Sequence, residues 1–457
     1  MQARQAAIDR AGDTVTSGQF QARLAELIAL PTVSQAPQCG QVMRQYLEEL
    51  LAPDLRGLGF ACTVLNNPVA PELPFLLAER TESAAFDTVL VYGHGDVVAA
   101  GDGWTQALDP FQLVQREGRL YGRGTADNKG QHALNIEALR AVIATRGFLG
   151  FNCRLLIEMG EERGSPGLAD LLRTQPNRFK ADVLIASDGP RLDLGRPTLF
   201  LGARGSLRFT LAAAPRDRPQ HSGHWGGLLT DPAIRMAHAL ASLTDARGAL
   251  RVPEWRPGSL TDDIRRAIAD CGLGDVAGRI DPDWGEPGLT PAERVFGWNS
   301  LSVLALAAGN DAAPVAAIAA SARAVCQLRF VVGTDAHDIV PALRRYLDAA
   351  GFSDVTVAEV PGSLSPATRT DLRSPWVDRL AGSITRTLGN APAILPNIGG
   401  SVPNHVFADI AGMPTVWIPH SHRACGQHSG DEHMDLAMAE QALRLMAGIV
   451  WDCGLTN

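Results

Sequence analysis

Five side chains able to bind a metal ion follow one another along the chain, each in a distinctive setting. They are His94 in GHGDVV, Asp127 in YGRGTADNKG, Glu162 in EMGEERGSPG, Asp188 in IASDGP and His428 in CGQHSGDEH. Two imidazoles and three carboxylates hold two divalent ions if one carboxylate bridges them. A metal pair activates water and clamps a polarised carbonyl, so hydrolysis of an amide is the leading chemistry. The donors are nitrogen and oxygen with no thiolate, which suits Zn²⁺ and also Mn²⁺ or Co²⁺.

Each residue also has a plainer reading. His94 and Asp96, two apart on an extended backbone, point to one side, so the carboxylate can accept the second ring N–H of a metal-bound imidazole. Taken alone, such a pair is equally a chance one. Asp127 follows the turn Gly122-Arg123-Gly124 and reads either as an ordinary helix cap or as the bridging ligand. Glu161 and Glu162 end an apolar strand. Adjacent acids there are commonly a solvated turn, but beside two cations one can ligate while the other works as general base. Asp188 is a further strand-end acid, and ligands in open α/β sheets collect outside the carboxyl ends of strands. His428 shares its segment with His405, His420, His422 and His433, any of which reads as a plain surface histidine. A G-x-S-x-G elbow, a P-loop and an H-E-x-x-H motif are all missing from the sequence.

The elements that must position these residues alternate in the first 200 positions. Helical patterns cover Phe20–Leu30, Gln41–Leu51 (stopped by Pro53) and Gly130–Thr145, and apolar runs mark strands at Thr88–Tyr92, Cys153–Glu158 and Val183–Ala186. This alternation predicts an α/β domain with a mostly parallel sheet and helices on both faces. Near Gly205 the pattern changes to half-exposed strands at Leu207–Ala213 and Ala316–Val332, with helices at Asp231–Leu243 and Asp335–Ala350. Long loops with a short helix are expected between Asp245 and Trp298. The first style then returns, with helices Pro375–Leu388 and Met434–Val450 around a strand at Thr415–Ile418. The expected organisation is a catalytic domain in two parts, 1–205 and 363–457, interrupted by an α+β insert over 206–362. Four of the five ligands precede the insert and the fifth follows it.

Composition narrows the partners. A net charge of −8 and a pI near 5.8 argue against nucleic acid or an anionic membrane. No apolar run reaches the roughly 20 residues of a membrane span, and the first residues have mixed charges rather than the apolar core of a secretory signal. Seven cysteines without a C-x-x-C spacing suit reduced thiols, so a cytoplasmic address is expected.

The ordered set GHGDVV, DGWTQALDPFQL, EGRLYGRGTADNKG, EMGEERGSPGL, SDGP and GGSVP resembles the M20 family of dinuclear zinc peptidases, in its carnosinase-like, non-specific dipeptidase branch. The resemblance covers nearly the whole chain. It implies two divalent metals, with zinc the leading choice: His94 and Asp188 on one, Glu162 and His428 on the other, and Asp127 bridging. It further implies Glu161 as general base, Asp96 behind His94, and a cis peptide after Asp127. The insert resembles a lid that forms a homodimer. His221 in PQHSGHWGG matches a histidine donated across the dimer to the oxyanion. Arg329 in CQLRFVV, with Gly400 and Ser401, matches the grip on the substrate carboxylate. One departure stands out: Ile398 occupies the place of a glutamate that in carnosinase-like relatives is implied to bind the substrate's amino group.

The expectation is therefore a metal-dependent hydrolase of small carboxylate-bearing amides, dipeptides first. An N-acyl-amino-acid deacylase or carbamoylase stands as the alternative, supported by Ile398. A non-catalytic binding protein of the same family is the distant one.

Overall fold

Apolar runs without alternation become interior strands, because a parallel sheet is covered on both faces. In the computed structural model, which describes residues 2–105, 108–274 and 280–454, strand Val183–Ala186 is buried at every position and Thr88–His94 at all but its first. Gln106 and Ala107 of the DGWTQALDPFQL motif lie outside the described residues, as do positions 275–279 of the stretch expected to be long loops.

The chain divides into two compact units. The first comprises residues 1–201, 370–394 and 403–457. Its sheet has eight strands in the order Ala61–Leu65, Phe75–Arg80, Asn152–Glu158, Thr88–His94, Val183–Ala186, Thr415–Trp417, Thr198–Phe200 and Ala393–Leu395. The four strands from Asn152–Glu158 to Thr415–Trp417 run parallel to their neighbours, and the pairings outside them at Phe75–Arg80 and Thr198–Phe200 are antiparallel. Helix Lys129–Arg146 is the main crossover, buried along most of its length and closed by Gly147 in the left-handed conformation at φ 86°. It packs with Leu436–Cys453 and with Gln2–Thr16.

Two local expectations are corrected. Helix Gln2–Thr16 was not read from the sequence. Its buried stripe of Ala7, Ile8, Ala11 and Val15 is half alanine, too weakly apolar to register as a pattern. Pro53 does not stop the helix before it. The chain runs Gly40–Gln45, widens into a π-type turn over Tyr46–Leu51, and continues as Ala52–Gly57. Pro53 stands just after the π-type turn, the local widening at which the continuous helix accommodates a residue without an N–H.

The second unit comprises residues 202–369 and 395–402. Its antiparallel sheet has the order Ser300–Ala308, Ala322–Phe330, Gly205–Ala213, Thr356–Glu359. Helices Pro232–Leu243 and Ile339–Ala349 pack against this sheet through Met236, Ala239, Leu243, Ile339, Leu343 and Leu347. Asp231 caps the first of them by accepting the N–H groups of Ala233 and Ile234 at 2.8 and 3.3 Å. Strand Ser300–Ala308 is a further element beyond the expected ones, a sheet-edge strand exposed from Ser302 to Ala308, where an apolar run is not the mark of burial. The Gly-Gly-Ser turn goes with this unit rather than with the last catalytic segment. The cause is backbone pairing: Ile398 N–H donates to the Gly202 carbonyl at 2.9 Å, and Arg204 N–H to the Ile398 carbonyl at 3.1 Å.

Candidate functional site

Three neighbouring parallel strands deliver the site in the first unit. His94 is the last residue of Thr88–His94, Glu161 and Glu162 follow Asn152–Glu158, and Asp188 follows Val183–Ala186. The glycines around His94 answer to close packing. A Cβ on Gly93 would meet the His132 Cβ at 2.7 Å, and one on Gly95 would meet the Tyr46 ring at 2.6 Å. Asp127 comes from the loop before helix Lys129–Arg146, and its peptide to Asn128 is cis. His428 comes from the loop between strands Ser421–His422 and His433–Asp435, with φ at 61°.

These side chains converge into two clusters that share Asp127. Donor atoms of His94, Asp127 and Asp188 lie within 4.8 Å of one another, as do those of Asp127, Glu162 and His428. The Asp127 carboxylate divides between them: Oδ1 is 3.1 Å from His94 Nε2 and Oδ2 is 3.1 Å from His428 Nε2. Asp188 Oδ2 stands 3.7 Å from His94 Nε2, and Glu162 Oε2 stands 3.0 Å from His428 Nε2. Glu162 Oε1 is buried without a hydrogen-bond partner.

Asp96 does more than was read from the sequence. The His94 Nδ1–H meets the Asp96 main-chain carbonyl at 3.0 Å, while the Asp96 carboxylate lies 3.4 Å from Nδ1. That carboxylate accepts the N–H groups of Glu161 and Glu162 at 3.1 and 3.2 Å. One buried aspartate therefore orients the imidazole and holds the turn that carries two further acids.

Two positioning residues escaped the sequence reading. Glu432 Oε1 accepts the N–H groups of Gly124, Ala126 and Asp127 at 3.0, 2.9 and 3.0 Å, and its Oε2 pairs with Arg123 at 2.6 Å. It fixes the Asp127 loop from 305 residues away in sequence. The only sequence signal was a second acid in GDEH. Asn128 donates to the Ser187 carbonyl at 2.7 Å, tying the Asp127 loop to the Asp188 strand end.

The electrostatics describe a cluster that calls for cations. Burial would lower the His94 pKa, but hydrogen bonds to Asp127 and Asp96 outweigh it and hold the imidazole well above its usual range. Hydrogen bonds to Asp127 and Glu162 push His428 up to about 10. Burial and the Asp127 charge raise Asp188 to about 6. Burial, with Asp188 and Asp127 close by, also holds Glu161 well above the carboxylate range. Asp127 goes the other way: burial opposes its charge, yet the hydrogen bonds from His428 and His94 keep it low. The raised histidines and the raised carboxyls Asp188 and Glu161 report the same concentration of buried negative charge around Asp127.

The remaining expected residues belong to the second unit. His221 is exposed; its Nδ1 accepts the Gly223 N–H at 3.1 Å and its ring stacks on His224 at 4.5 Å. Arg329, in strand Ala322–Phe330, donates to Ser401 Oγ at 3.4 Å, and Ser401 donates to the Arg204 carbonyl at 2.9 Å. Gly400 is exposed in the same turn, and Ile398 is half-buried. Arg204 itself is buried, donating to Ser300 Oγ and to the Gly399 carbonyl. Burial, then the Arg329 charge, brings Arg204 down to about 10. Among the described residues neither guanidinium has a carboxylate partner.

Residues 90–452 match the profile of peptidase family M20/M25/M40. The Beta-Ala-His dipeptidase of Mus musculus is 33% identical over 249 residues, 51% of this chain and 50% of the relative. The Cysteinylglycine-S-conjugate dipeptidase of Corynebacterium striatum is 27% identical over 354 residues, 74% of this chain and 75% of the relative. The match spans about half the length of the mouse relative, and 36% of the human Beta-Ala-His dipeptidase. In three dimensions the M20 family metallo-carboxypeptidase Sso-CP2 from Sulfolobus solfataricus superposes with a TM-score of 0.79 at 23% identity, covering 96% of this chain and 99% of the other. Human carnosine dipeptidase 1 gives 0.77 at 23%, covering 98% and 99%. These likenesses establish a shared fold, the mixed α/β architecture with a central, mostly parallel sheet.

Proposed function

The chain belongs to peptidase family M20/M25/M40, and from that premise we propose that it is a metal-dependent hydrolase of small amides bearing a free carboxylate, dipeptides foremost. The observation that carries this reading is the division of Asp127 between two histidine–carboxylate clusters. His94, Asp127 and Asp188 would hold one divalent ion, and Asp127, Glu162 and His428 the other. The donors fit: they are nitrogen and oxygen, three carboxylates stand together, and Glu162 Oε1 has no partner within the protein. Zinc suits this set best. Bound there, the ions supply the Lewis acidity that polarises an amide carbonyl and acidifies water.

Glu161 takes the proton of the attacking water and returns it to the leaving amine. Its high pKa in the metal-free cluster marks a site where negative charge is crowded and desolvated. Asp96 keeps Glu161 and His94 in register through the turn it holds. In the second unit, Arg329 and Ser401 bind the substrate carboxylate, with Gly400 leaving room for it. Two guanidiniums without a carboxylate partner support an anionic ligand there.

The protein would act as a homodimer through its second unit, with the partner subunit's His221 stabilising the oxyanion. Edge strand Ser300–Ala308 supports that assembly, since Val303, Leu304 and Leu306 are 47%, 51% and 57% exposed on an unpaired sheet edge.

Ile398 favours a second reading, an N-acyl-amino-acid deacylase, because it offers no anion to a substrate ammonium. Amine release from matched pairs decides between the two: one C-terminal amino acid carrying either a free aminoacyl or an N-acyl group. Faster turnover of the free dipeptides establishes the dipeptidase, whereas faster turnover of the acylated set makes it a deacylase. Turnover of neither by the metal-loaded dimer defeats both.

A further inference from the structure

The histidine-rich segment holds a second donor cluster that the hydrolytic site does not use. Strands Ser421–His422 and His433–Asp435 bound the loop that carries His428. Within this segment His422, Cys425 and His433 each offer one donor atom, all within 4.8 Å of one another, and all three residues are buried. The sequence suggested plain surface histidines here. In the structure only His428 among the segment's five histidines is exposed.

The hydrogen bonds of this cluster are arranged like those around a bound ion. His433 is 6% exposed, and its Nδ1–H reaches the Asp431 carbonyl at 2.9 Å. Its Nε2 then carries a lone pair with no partner. His422 Nε2 is held by Asp435 Oδ2 at 2.6 Å, which leaves Nδ1 for an ion; Nδ1 now accepts the Ala424 N–H at 3.2 Å, a bond that an ion would replace. Cys425 is fully buried and unpaired by any disulfide, and its Sγ accepts the His422 N–H at 3.3 Å. Metal-binding histidines commonly engage their other ring nitrogen with a carboxylate or a carbonyl, and His422 and His433 show one of each.

We propose that His422, Cys425 and His433 bind one further transition-metal ion, distinct from the pair at Asp127. A thiolate with two imidazoles selects a borderline-soft ion such as Zn²⁺ or Co²⁺ over Mg²⁺, Ca²⁺ or Mn²⁺. Bonds of about 2.0–2.3 Å in a tetrahedral site set donors about 3.5 Å apart, so donors that stand within 4.8 Å of one another close by up to about 1.3 Å. Binding replaces the Cys425 proton, which leaves to solvent as the sulfur–metal bond forms. The ion clips together the two ends of the loop that presents His428, a residue with a 55% exposed side chain at φ 61°. Its role is to hold that loop, and it stands whether or not the protein hydrolyses dipeptides.

Cobalt separates the two kinds of site, because only a thiolate ligand gives near-ultraviolet sulfur-to-cobalt charge transfer. The His–carboxylate clusters contain no sulfur. Among the described residues no other cysteine has such donors around it. Metal-free wild-type protein titrated with Co²⁺ is expected to develop this absorption and to bind three equivalents per chain. Cys425→Ser is expected to lose the band and one equivalent while keeping the visible absorption of the remaining cobalt. His433→Gln, which removes the unpartnered nitrogen but leaves the thiol, is expected to weaken Co²⁺ binding at the same band by at least tenfold. The wild-type titration alone can overturn the proposal, without relying on any variant to fold: binding that stops at two equivalents with no charge-transfer band refutes it. A band that survives in Cys425→Ser refutes it as well.

Discussion

The two clusters that share Asp127 differ in how the chain holds them. His94 and Asp188 sit at the ends of adjacent parallel strands with side chains 0% and 7% exposed. His428 sits on a loop with its side chain 55% exposed, and its partner Glu162 lies in the turn after a strand. The sheet preforms the first cluster; loops assemble the second, with Glu432 and Asp96 as their anchors. Equal ligand chemistry on unequal scaffolds should give two ions of unequal lability.

The harshest way to break this comparison is Asp127→Ala, which removes the carboxylate common to both clusters. Both ions are expected to be lost, with turnover falling below detection, as read by metal analysis and amine release. Retention of one tightly held ion would mean that the carboxylate does not bridge. Next in size is Glu161→Gln, which should lower kcat by roughly 10²–10⁴-fold with metal content unchanged. A near-normal kcat would remove Glu161 as the proton carrier.

The asymmetry itself is sharpened by chelation. Wild-type protein is expected to release one ion before the other, and His428→Ala to lack the ion that leaves first. His94→Ala, by contrast, should lose the ion that leaves last. Simultaneous release from the wild type would show the two scaffolds to be equivalent. Glu432→Gln leaves every ligand in place but weakens the grip on the Asp127 loop, so metal affinity should fall about 10–100-fold, measured by competition with a chelating dye.

The smallest effect is a proton count. With its pKa pushed up to about 10, His428 is protonated at neutral pH in the metal-free protein. Its pKa is raised, so the proton is bound below that value and lost above it. Ion binding must therefore expel it near pH 7, and affinity should rise with pH up to about 10. Calorimetry in buffers of differing ionisation enthalpy measures that release, and binding without proton release would show that His428 is not displaced.

Much of the molecule was legible in the sequence because strong patterns carried it. Strand Val183–Ala186 and helix Pro375–Leu388 have the bounds read from their residues. Continuous apolar runs announce buried parallel strands, and a flanking proline announces a helix start. Weak patterns hid the rest. Helix Gln2–Thr16 uses alanines for half of its buried apolar stripe, and strand Ser300–Ala308 carries an apolar run on an exposed sheet edge, where burial does not explain it. The ordinary-looking histidines 422 and 433 proved buried, because burial of a polar side chain leaves no periodic mark.

By itself the sequence determined the α/β class, the family resemblance and the candidate donors that meet around Asp127, since these follow from local runs and motifs. Only the tertiary structure decided that the two oxygens of Asp127 face different histidines. It alone revealed that Glu432 holds the Asp127 loop from 305 residues away, and that Cys425 stands among His422 and His433. The reason is physical. Residue type and spacing govern local conformation, but the direction of a side chain and its distant partners are set by the packing of the whole unit.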